Sequence, residues 1–163
     1  MAALHYRIVD LAIFLIANLV NLLLIAFFLV RAQGSVRAAH RVGTVVVALA
    51  LPVAAASALN ALWGREWWTV VLPLLYVLYC GIELLLDYIL KREFRNTRLL
   101  EPYLAVYYLG LLGLMGYCFG VNTVYGFVTL VTYLANLLAT WYSFARVGHG
   151  LKRSEATPPR PSS

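Results

Sequence analysis

Four side chains capable of acid–base or nucleophilic chemistry share one apolar stretch of the sequence. Tyr76, Cys80, Glu83 and Asp87 follow one another at spacings of four, three and four residues, which places them on one face of an α-helix. Two carboxylates four residues apart repel when both are ionised, and burial disfavours the charged form further. We therefore expect Glu83 to be protonated, or to share a proton or a cation with Asp87, in a water-accessible cavity.

The same carboxylates also fit a structural role. Asp87 is one helical turn from Lys91, and Glu83 can meet Arg92 or a basic residue at the end of another helix. Paired in this way, they would stabilise a helix bundle without taking part in chemistry.

A second polar face runs along the last apolar stretch at helical spacing. Asn136 and Thr140 belong to it, and together with Tyr76, Glu83 and Asp87 they form our candidate intramembrane polar and proton site. The other members of this face are Tyr125, Thr129, Thr132 and Ser143, and further polar residues near it in our interpretation are Asp10, Asn18, Asn21 and Asn60. Interhelical hydrogen bonds, which contribute well under about 1 kcal/mol each, are the alternative explanation.

A basic cluster follows the third apolar stretch and consists of Lys91, Arg92, Arg95 and Arg98. Guanidinium and ammonium groups bind phosphate, so this cluster is a candidate site for anionic lipid headgroups close to Asp87. It is the basis for considering an enzyme that acts on lipid headgroups.

The composition decides the class of protein. Of the 163 residues, 63% are hydrophobic and 12% charged, whereas a soluble domain has roughly 25% charged residues. The mean hydropathy is +0.80. These values exclude a soluble enzyme domain, a disordered chain and a disulfide scaffold, and they indicate an integral membrane protein.

Five stretches have the ~20 apolar residues that a membrane-spanning helix needs. They cover residues 8–30, 42–62, 69–90, 103–119 and 124–144. Their apolar runs do not alternate with polar residues, which excludes barrel strands. We predict an all-α, polytopic bundle of five transmembrane helices in one domain, 1–147, followed by a disordered, basic, Pro- and Ser-rich tail, 148–163.

The basic residues predict the orientation. Eleven of the 13 Lys and Arg residues follow the first, third or fifth span, and the exceptions are Arg7 and Arg65. Because basic residues collect on the cytoplasmic side, we expect the N-terminus outside and the tail in the cytoplasm. The same distribution favours anionic lipid headgroups over nucleic acid as partners.

Aromatic residues near the span ends are typical of interfacial anchors. This interpretation covers Trp63, Trp67, Trp68, Tyr117, Phe119 and Tyr125 on the outer side, and Tyr103, Tyr107, Trp141 and Tyr142 on the inner side.

Small residues and prolines predict how the spans pack. Alanines at 50, 54 and 58 and glycines at 110, 113, 116 and 120 indicate close helix contacts inside the bundle, with a dimer interface as the alternative. Pro52 is expected to kink the second span. Cys80 and Cys118 lie at different depths, so we predict no disulfide between them.

Three hypotheses for the function remain. The first is translocation of a proton, a cation or a small solute along a polar path on the third and fifth spans. The second is a non-catalytic subunit or assembly factor of a larger membrane complex, and the third is the lipid-headgroup enzyme. No catalytic motif, metal-ligand pattern or phosphate loop occurs in the sequence, so we expect no cofactor and favour a non-enzyme. We place the protein in the plasma (inner) membrane, where it would form a homo-oligomer or join a larger complex.

Overall fold

The computed structural model describes residues 2–89 and 100–147, and these residues are almost entirely helical. The α-helices are α1 (Ala2–Ala32), α2 (Val36–Ala48), α3 (Ala50–Leu62), α4 (Trp68–Glu83), α5 (Leu100–Val121) and α6 (Thr123–Val147), and a π-helical segment, Leu84–Ile89, continues α4. Five helical stretches are long and apolar enough to cross a membrane: Leu4–Ala32, Arg37–Leu62, Trp68–Leu86, Glu101–Val121 and Thr123–Arg146. The prediction of an all-helical chain with five candidate spans is confirmed.

The second span begins earlier than the sequence pattern predicted. Helix α2 starts at Val36, so Arg37 and Arg41 lie within the helix and not in a loop that ends at residue 41. Hydropathy alone places such basic residues outside a span, although an amphipathic helix can continue beyond the apolar core. The predicted tail, 148–163, lies outside the described residues.

Helix α1 packs against most of the bundle. It contacts α2, α3, α5 and α6, while α4 packs between α3 and α5, and α5 packs between α4 and α6. Its buried face recurs every three or four residues and includes Val9, Ile13, Ala17, Val20, Leu24 and Phe28. We call the two ends of the bundle the Asp10 end, which holds the 63–67 turn and Asn122, and the Glu83 end.

Pro52 explains the interruption of the second span. Its ring clashes with the carbonyl four residues earlier, that of Ala48, and it lacks an N–H group. Helix α2 ends at Ala48, and α3 begins after Leu49. The helix is therefore interrupted in the turn before Pro52, and the kink that we expected there stays a prediction.

Glycines bring α4 and α5 into close contact. A Cβ added at Gly113 would overlap the carbonyl oxygen of Leu72, and one at Gly110 would lie 3.2 Å from Cα of Tyr76. The glycines of the fourth span therefore pack within the bundle, as we expected. The alanine stripe of the second span behaves differently: α3 buries Val53, Ala56, Ser57 and Asn60 and leaves Ala58 exposed.

The predicted aromatic anchors differ in their exposure. Trp67 and Trp141 are 71% and 73% exposed and Tyr142 is also exposed, as anchors at a membrane surface must be. Tyr107 and Tyr117 are buried in the core, so their assignment as anchors is wrong. Position near a span end does not reveal which face of the helix a tyrosine occupies.

Candidate functional site

A cavity of about 110 Å³ lies between α1, α2, α4, α5 and α6 at the Glu83 end. That volume is several times what one water molecule requires. Its polar lining includes Arg31, Glu83 and Thr140. Aromatic rings form much of the remaining wall: Phe27, Phe28, Tyr79, Tyr103, Tyr107, Tyr108 and Phe144.

Four tyrosines form a continuous aromatic wall. The ring centroid of Tyr79 lies 6.1 Å from that of Tyr103 and 5.2 Å from that of Tyr107, and Tyr107 and Tyr108 are 4.9 Å apart. Tyr79 and Tyr107 meet edge to face, the arrangement that aromatic quadrupoles favour. Packing from two adjacent helices, α4 and α5, thus holds the wall in place.

Glu83 projects a carboxylate onto this wall. The hydroxyl of Tyr103 donates a hydrogen bond to Oε2 of Glu83. Tyr103 was predicted to be an interfacial anchor, yet it is half-buried and positions the candidate proton carrier. A π-helical segment begins directly after Glu83, and such segments are frequent at functional sites.

Arg31 also lines the cavity. Its guanidinium carbon lies 5.5 Å from the ring centroid of Phe144, within cation–π range. Arg31 belongs to α1 and Phe144 to α6, whereas Glu83 and Tyr103 belong to α4 and α5. Among the described residues of the lining, the two charged side chains therefore lie on different helices, Arg31 on α1 and Glu83 on α4.

Asn136 lies directly behind the cavity wall. Its Nδ2 donates to the hydroxyl of Tyr107 at 3.3 Å, and the Thr140 hydroxyl donates to the backbone carbonyl of Asn136 at 2.8 Å. Asn136 is 0% exposed, and its Oδ1 has no hydrogen-bond partner in the part of the chain that the structure describes. Burying a polar atom without a hydrogen bond costs free energy, so this amide oxygen can still accept a hydrogen bond.

Tyr76 stabilises the break at Leu49. Its hydroxyl donates to the Val46 carbonyl at 2.6 Å, an acceptor that an unbroken helix would pair with the Ala50 N–H. Cys80 contacts the same carbonyl at 4.0 Å and, like Cys118, is a buried free thiol. The prediction that the two cysteines form no disulfide is confirmed.

Several predicted site residues cannot be placed. The side chain of Asp87 and all of Lys91, Arg92, Arg95 and Arg98 lie outside the described residues. The pairing of Asp87 with Glu83 or Lys91, the pairing of Glu83 with Arg92 and the headgroup site remain predictions.

The part of the α6 polar face that is nearer the Asp10 end forms hydrogen bonds with α1. Asn18 and Asn21 each donate from Nδ2, at 3.2 Å, to Thr129 and Thr132 respectively, and Thr132 donates to Oδ1 of Asn18 at 2.9 Å. These bonds join the two helices, as the alternative explanation of the polar face expected. The part of this face that is nearer the Glu83 end, Asn136 and Thr140, adjoins the cavity instead.

A second polar cluster closes the Asp10 end. Arg65 forms a bidentate ion pair with Asp10, at 2.7 and 3.2 Å, and donates to Oδ1 of Asn60 at 3.0 Å. The Tyr117 hydroxyl donates to Asp10 at 2.5 Å. The Asp10 and Arg65 side chains are 12% and 15% exposed. Burial alone would lower the pKa of Arg65, but its hydrogen bond with Asp10 and nearby negative charge raise that pKa above its usual value.

Gly64 and Pro73 explain why this cluster forms. Gly64 has a φ of 64°, and Arg65 N and Gly64 N bond back to the carbonyls of Asn60 and Ala61 at 3.0 Å, the Schellman pattern that ends a helix. This turn directs Arg65 toward Asn60. Pro73 has no N–H, so the Thr69 carbonyl is left without its helical partner and accepts Nδ2 of Asn60 at 3.0 Å.

Buried residues of α1 and α5 lie between this cluster and the cavity. Between Asp10 and Leu24, which are 14 positions and about 21 Å apart at the helical rise, α1 buries Ile13, Ala17, Val20 and Asn21. Leu111 and Leu114 on α5 are also buried. The two polar sites therefore lie at opposite ends of the bundle, and the hydrogen-bonded side chains of Asn18, Asn21, Thr129 and Thr132 lie between them.

Sequence reasoning missed the Asp10–Arg65 pair, although a signal existed. Arg65 was an exception to the distribution of basic residues, and Asp10 is an acid within the first span on the same predicted side. Arg65 and Asp10 lie at the same predicted depth, and the orientation of the spans explains neither charge. Two such charges are candidates for an ion pair.

The fold and the cavity define a small integral membrane protein with five candidate spans. No protein-family model, curated protein or solved structure matches the chain.

Proposed function

We propose that the protein translocates a proton, a cation or a small solute, and that the cavity at the Glu83 end is its binding site. The observation that carries this proposal is the carboxylate of Glu83 in the wall of a cavity formed by five helices. An ionisable side chain inside a membrane bundle commonly marks an ion or substrate pathway.

The closure of the Asp10 end supports a carrier over an open channel. Buried side chains of α1 and α5 and the Asp10–Arg65 ion pair lie between the cavity and that end. A carrier exposes its site to one side at a time. On the orientation that the basic residues predict, the Glu83 end lies on the cytoplasmic side, and the ion pair must part for the site to open outward.

Flux through proteoliposomes tests the proposal. Protein with Glu83→Gln should lose translocation of protons or alkali cations, because glutamine keeps the shape of the side chain and cannot carry a charge. Internal pH and potassium dyes would measure the flux. Glu101→Gln is the matched control, since Glu101 is an exposed acid in the first turn of α5 and does not line the cavity.

The outcomes separate clearly. Loss of flux in Glu83→Gln with normal flux in Glu101→Gln supports the proposal, provided that both variants elute as monodisperse protein. Wild-type flux in folded Glu83→Gln contradicts a role for this carboxylate. Absence of any flux of protons or alkali cations in the wild type contradicts translocation of these ions.

A further inference from the structure

Two buried amide oxygens in the contact between α1 and α6 have no donor. Oδ1 of Asn21 and Oδ1 of Asn136 lack a hydrogen-bond partner among the side chains and backbone that the structure describes, and the two residues are 3% and 0% exposed. We infer that water molecules from the cavity bind these two amides and extend along α1 and α6, and that the translocated species is the proton. The water sites rest on the amides themselves, whereas the choice of the proton rests on the proposed function.

Both amides have more hydrogen-bonding capacity than the described residues use. A side-chain amide has two N–H donors and an oxygen that accepts. Asn136 donates one hydrogen bond, to the Tyr107 hydroxyl, and Asn21 donates one, to Thr132. One donor and the oxygen of each amide are therefore still open among the described residues. Burying such groups costs free energy, which a bound molecule that both donates and accepts would recover.

Pairing of the two helices does not by itself explain these amides. Asn18 lies on the same side of α1, and its Nδ2 donates both to the Phe14 carbonyl and to Thr129. Its Oδ1 accepts from Thr132. An asparagine that only joins two helices can thus have a complete set of partners, as buried polar groups usually do. Asn21, one turn further along α1, does not have such a set.

Water fits these amides better than a metal cation or a solute does. A cation would bind the oxygens but repel the open N–H groups, whereas water donates and accepts. Asn136 lies behind the cavity wall and has no exposed surface, so a solute cannot reach its amide unless the helices part. Buried water molecules make about three hydrogen bonds each, mostly to polar groups that have no other partner.

The two amides continue a series of polar groups that begins at the cavity. Tyr107 and Thr140 line the cavity, and each is hydrogen-bonded to Asn136. Asn136 is about one turn of α6 from Thr132, which is the partner of Asn21. Thr132 and Thr140 are about 12 Å apart at the helical rise. Water at both amides would therefore carry the hydrated region from the cavity toward the Asp10 end.

A hydrated series of this kind favours the proton over larger substrates. Each water molecule accepts a proton on its oxygen and gives another proton to the next molecule, so charge moves while the molecules stay in place. The hydroxyls of Thr132 and Thr140 can pass a proton in the same way. An alkali cation or a solute would need an opening as wide as itself. The proton is therefore the substrate that this route admits.

NMR tests whether water contacts these amides. Protein with isotope-labelled asparagine nitrogen would be studied in detergent micelles, with magnetisation transfer from water to each side-chain NH2 group as the readout. We expect transfer to Asn21 and Asn136 and none to Asn60. Asn60 is the matched control: it is also 0% exposed, its Nδ2 also bonds a tyrosine hydroxyl, that of Tyr117, and its Oδ1 accepts from Arg65.

Proton flux through proteoliposomes tests the route. Asn136→Leu keeps the approximate size of the side chain and removes its polar atoms, so the folded variant should lose proton flux. Ser57→Ala is the control and should keep wild-type flux, because the buried Ser57 hydroxyl bonds back to the Val53 carbonyl of its own helix. If Asn136→Leu does not fold, Asn21→Leu tests the same route, and the NMR comparison on the wild type needs no variant.

The other outcomes overturn the inference or the proposed function. Absence of transfer from water to both amides, or equal transfer to Asn60, would show that the open amides do not select water. Wild-type proton flux in folded Asn136→Leu would remove this route, and sodium or potassium flux without proton flux would exclude the proton. In each of these cases, flux that is lost in Glu83→Gln would leave the proposed function standing. Conversely, water at both amides of a protein without any flux would overturn the proposed function and the proton route, and would keep the water sites.

Discussion

Asp10 and Arg65 show how much two charges inside an apolar protein depend on each other. Each is largely buried, and removing one partner of such a pair leaves the other charge poorly solvated. Asn60 and Tyr117 also bond to the pair, so the cluster holds α1, α3, the 63–67 turn and α5 together.

A double-mutant cycle measures this dependence. Asp10→Asn and Arg65→Gln should each lower the free energy of unfolding by about 1–3 kcal/mol, less than a fully buried pair because both side chains keep some contact with solvent. The double variant should lose less than the sum of the two, with a coupling of about 0.5–3 kcal/mol. Denaturant titration in detergent micelles would provide the values.

Arg7→Gln is the control for the loss of a cation at the same end. Arg7 is exposed, so its replacement should change stability by no more than about 0.5 kcal/mol. Additive effects of Asp10→Asn and Arg65→Gln would show that the two residues do not interact in the folded protein.

At the scale of the helices, backbone proximity decides which substitutions are tolerated. Helices α4 and α5 approach so closely at Gly113 that there is no room for a Cβ beside the Leu72 carbonyl. The neighbour is backbone, which cannot rotate away as a side chain can. Close helix approach through small residues is the main source of packing energy in lipid.

Gly113→Ala should therefore destabilise the protein by about 1–3 kcal/mol, seen as a lower unfolding temperature. Gly81→Ala is the matched control, because Gly81 is also helical but meets nothing within 4 Å of the added Cβ. There alanine should be neutral or slightly stabilising, since it favours the helix. Equal effects of the two substitutions would argue against the close contact of α4 and α5.

Elements could be predicted from the sequence where the determining signal is local. Runs of apolar residues define the five spans, and the ring of Pro52 breaks the second. The start of α2 could not be located, because by hydropathy an amphipathic extension that carries Arg37 and Arg41 is indistinguishable from a basic loop.

The site was harder to predict, since its contacts join residues distant in sequence. Glu83 and Thr140 could be predicted from helical spacing, and both line the cavity. Tyr103 and Tyr107 could not be predicted in this way, because only the packing of α4 on α5 shows that they face inward. Asp10 and Arg65 are 55 residues apart, and no periodicity relates them.

For the whole molecule, the distribution of basic residues predicts which end faces the cytoplasm. Whole cells that express Thr123→Cys or Ser35→Cys would be treated with a maleimide that does not cross membranes. Both positions are exposed and lie at opposite ends of the bundle. Thr123→Cys should be labelled on intact cells, and Ser35→Cys only after permeabilisation, because positive segments remain inside.

The unmodified protein is the blank for this experiment. Cys80 and Cys118 are buried, so the native thiols should react little. Labelling of Ser35→Cys alone on intact cells would reverse the orientation, and with it the side to which the cavity faces.

The bonds between α1 and α6 also constrain how the chain is made. Asn21 and Thr132 are 111 residues apart, and synthesis proceeds at about 5–20 residues per second. The first helix therefore enters the bilayer roughly 5–20 s before its partner on the last helix exists. During that interval the Asn18 amide can keep its hydrogen bond to the Phe14 carbonyl of its own helix, at 2.8 Å, whereas the Asn21 amide lacks Thr132. Completion of the final helix therefore supplies the partner of Asn21.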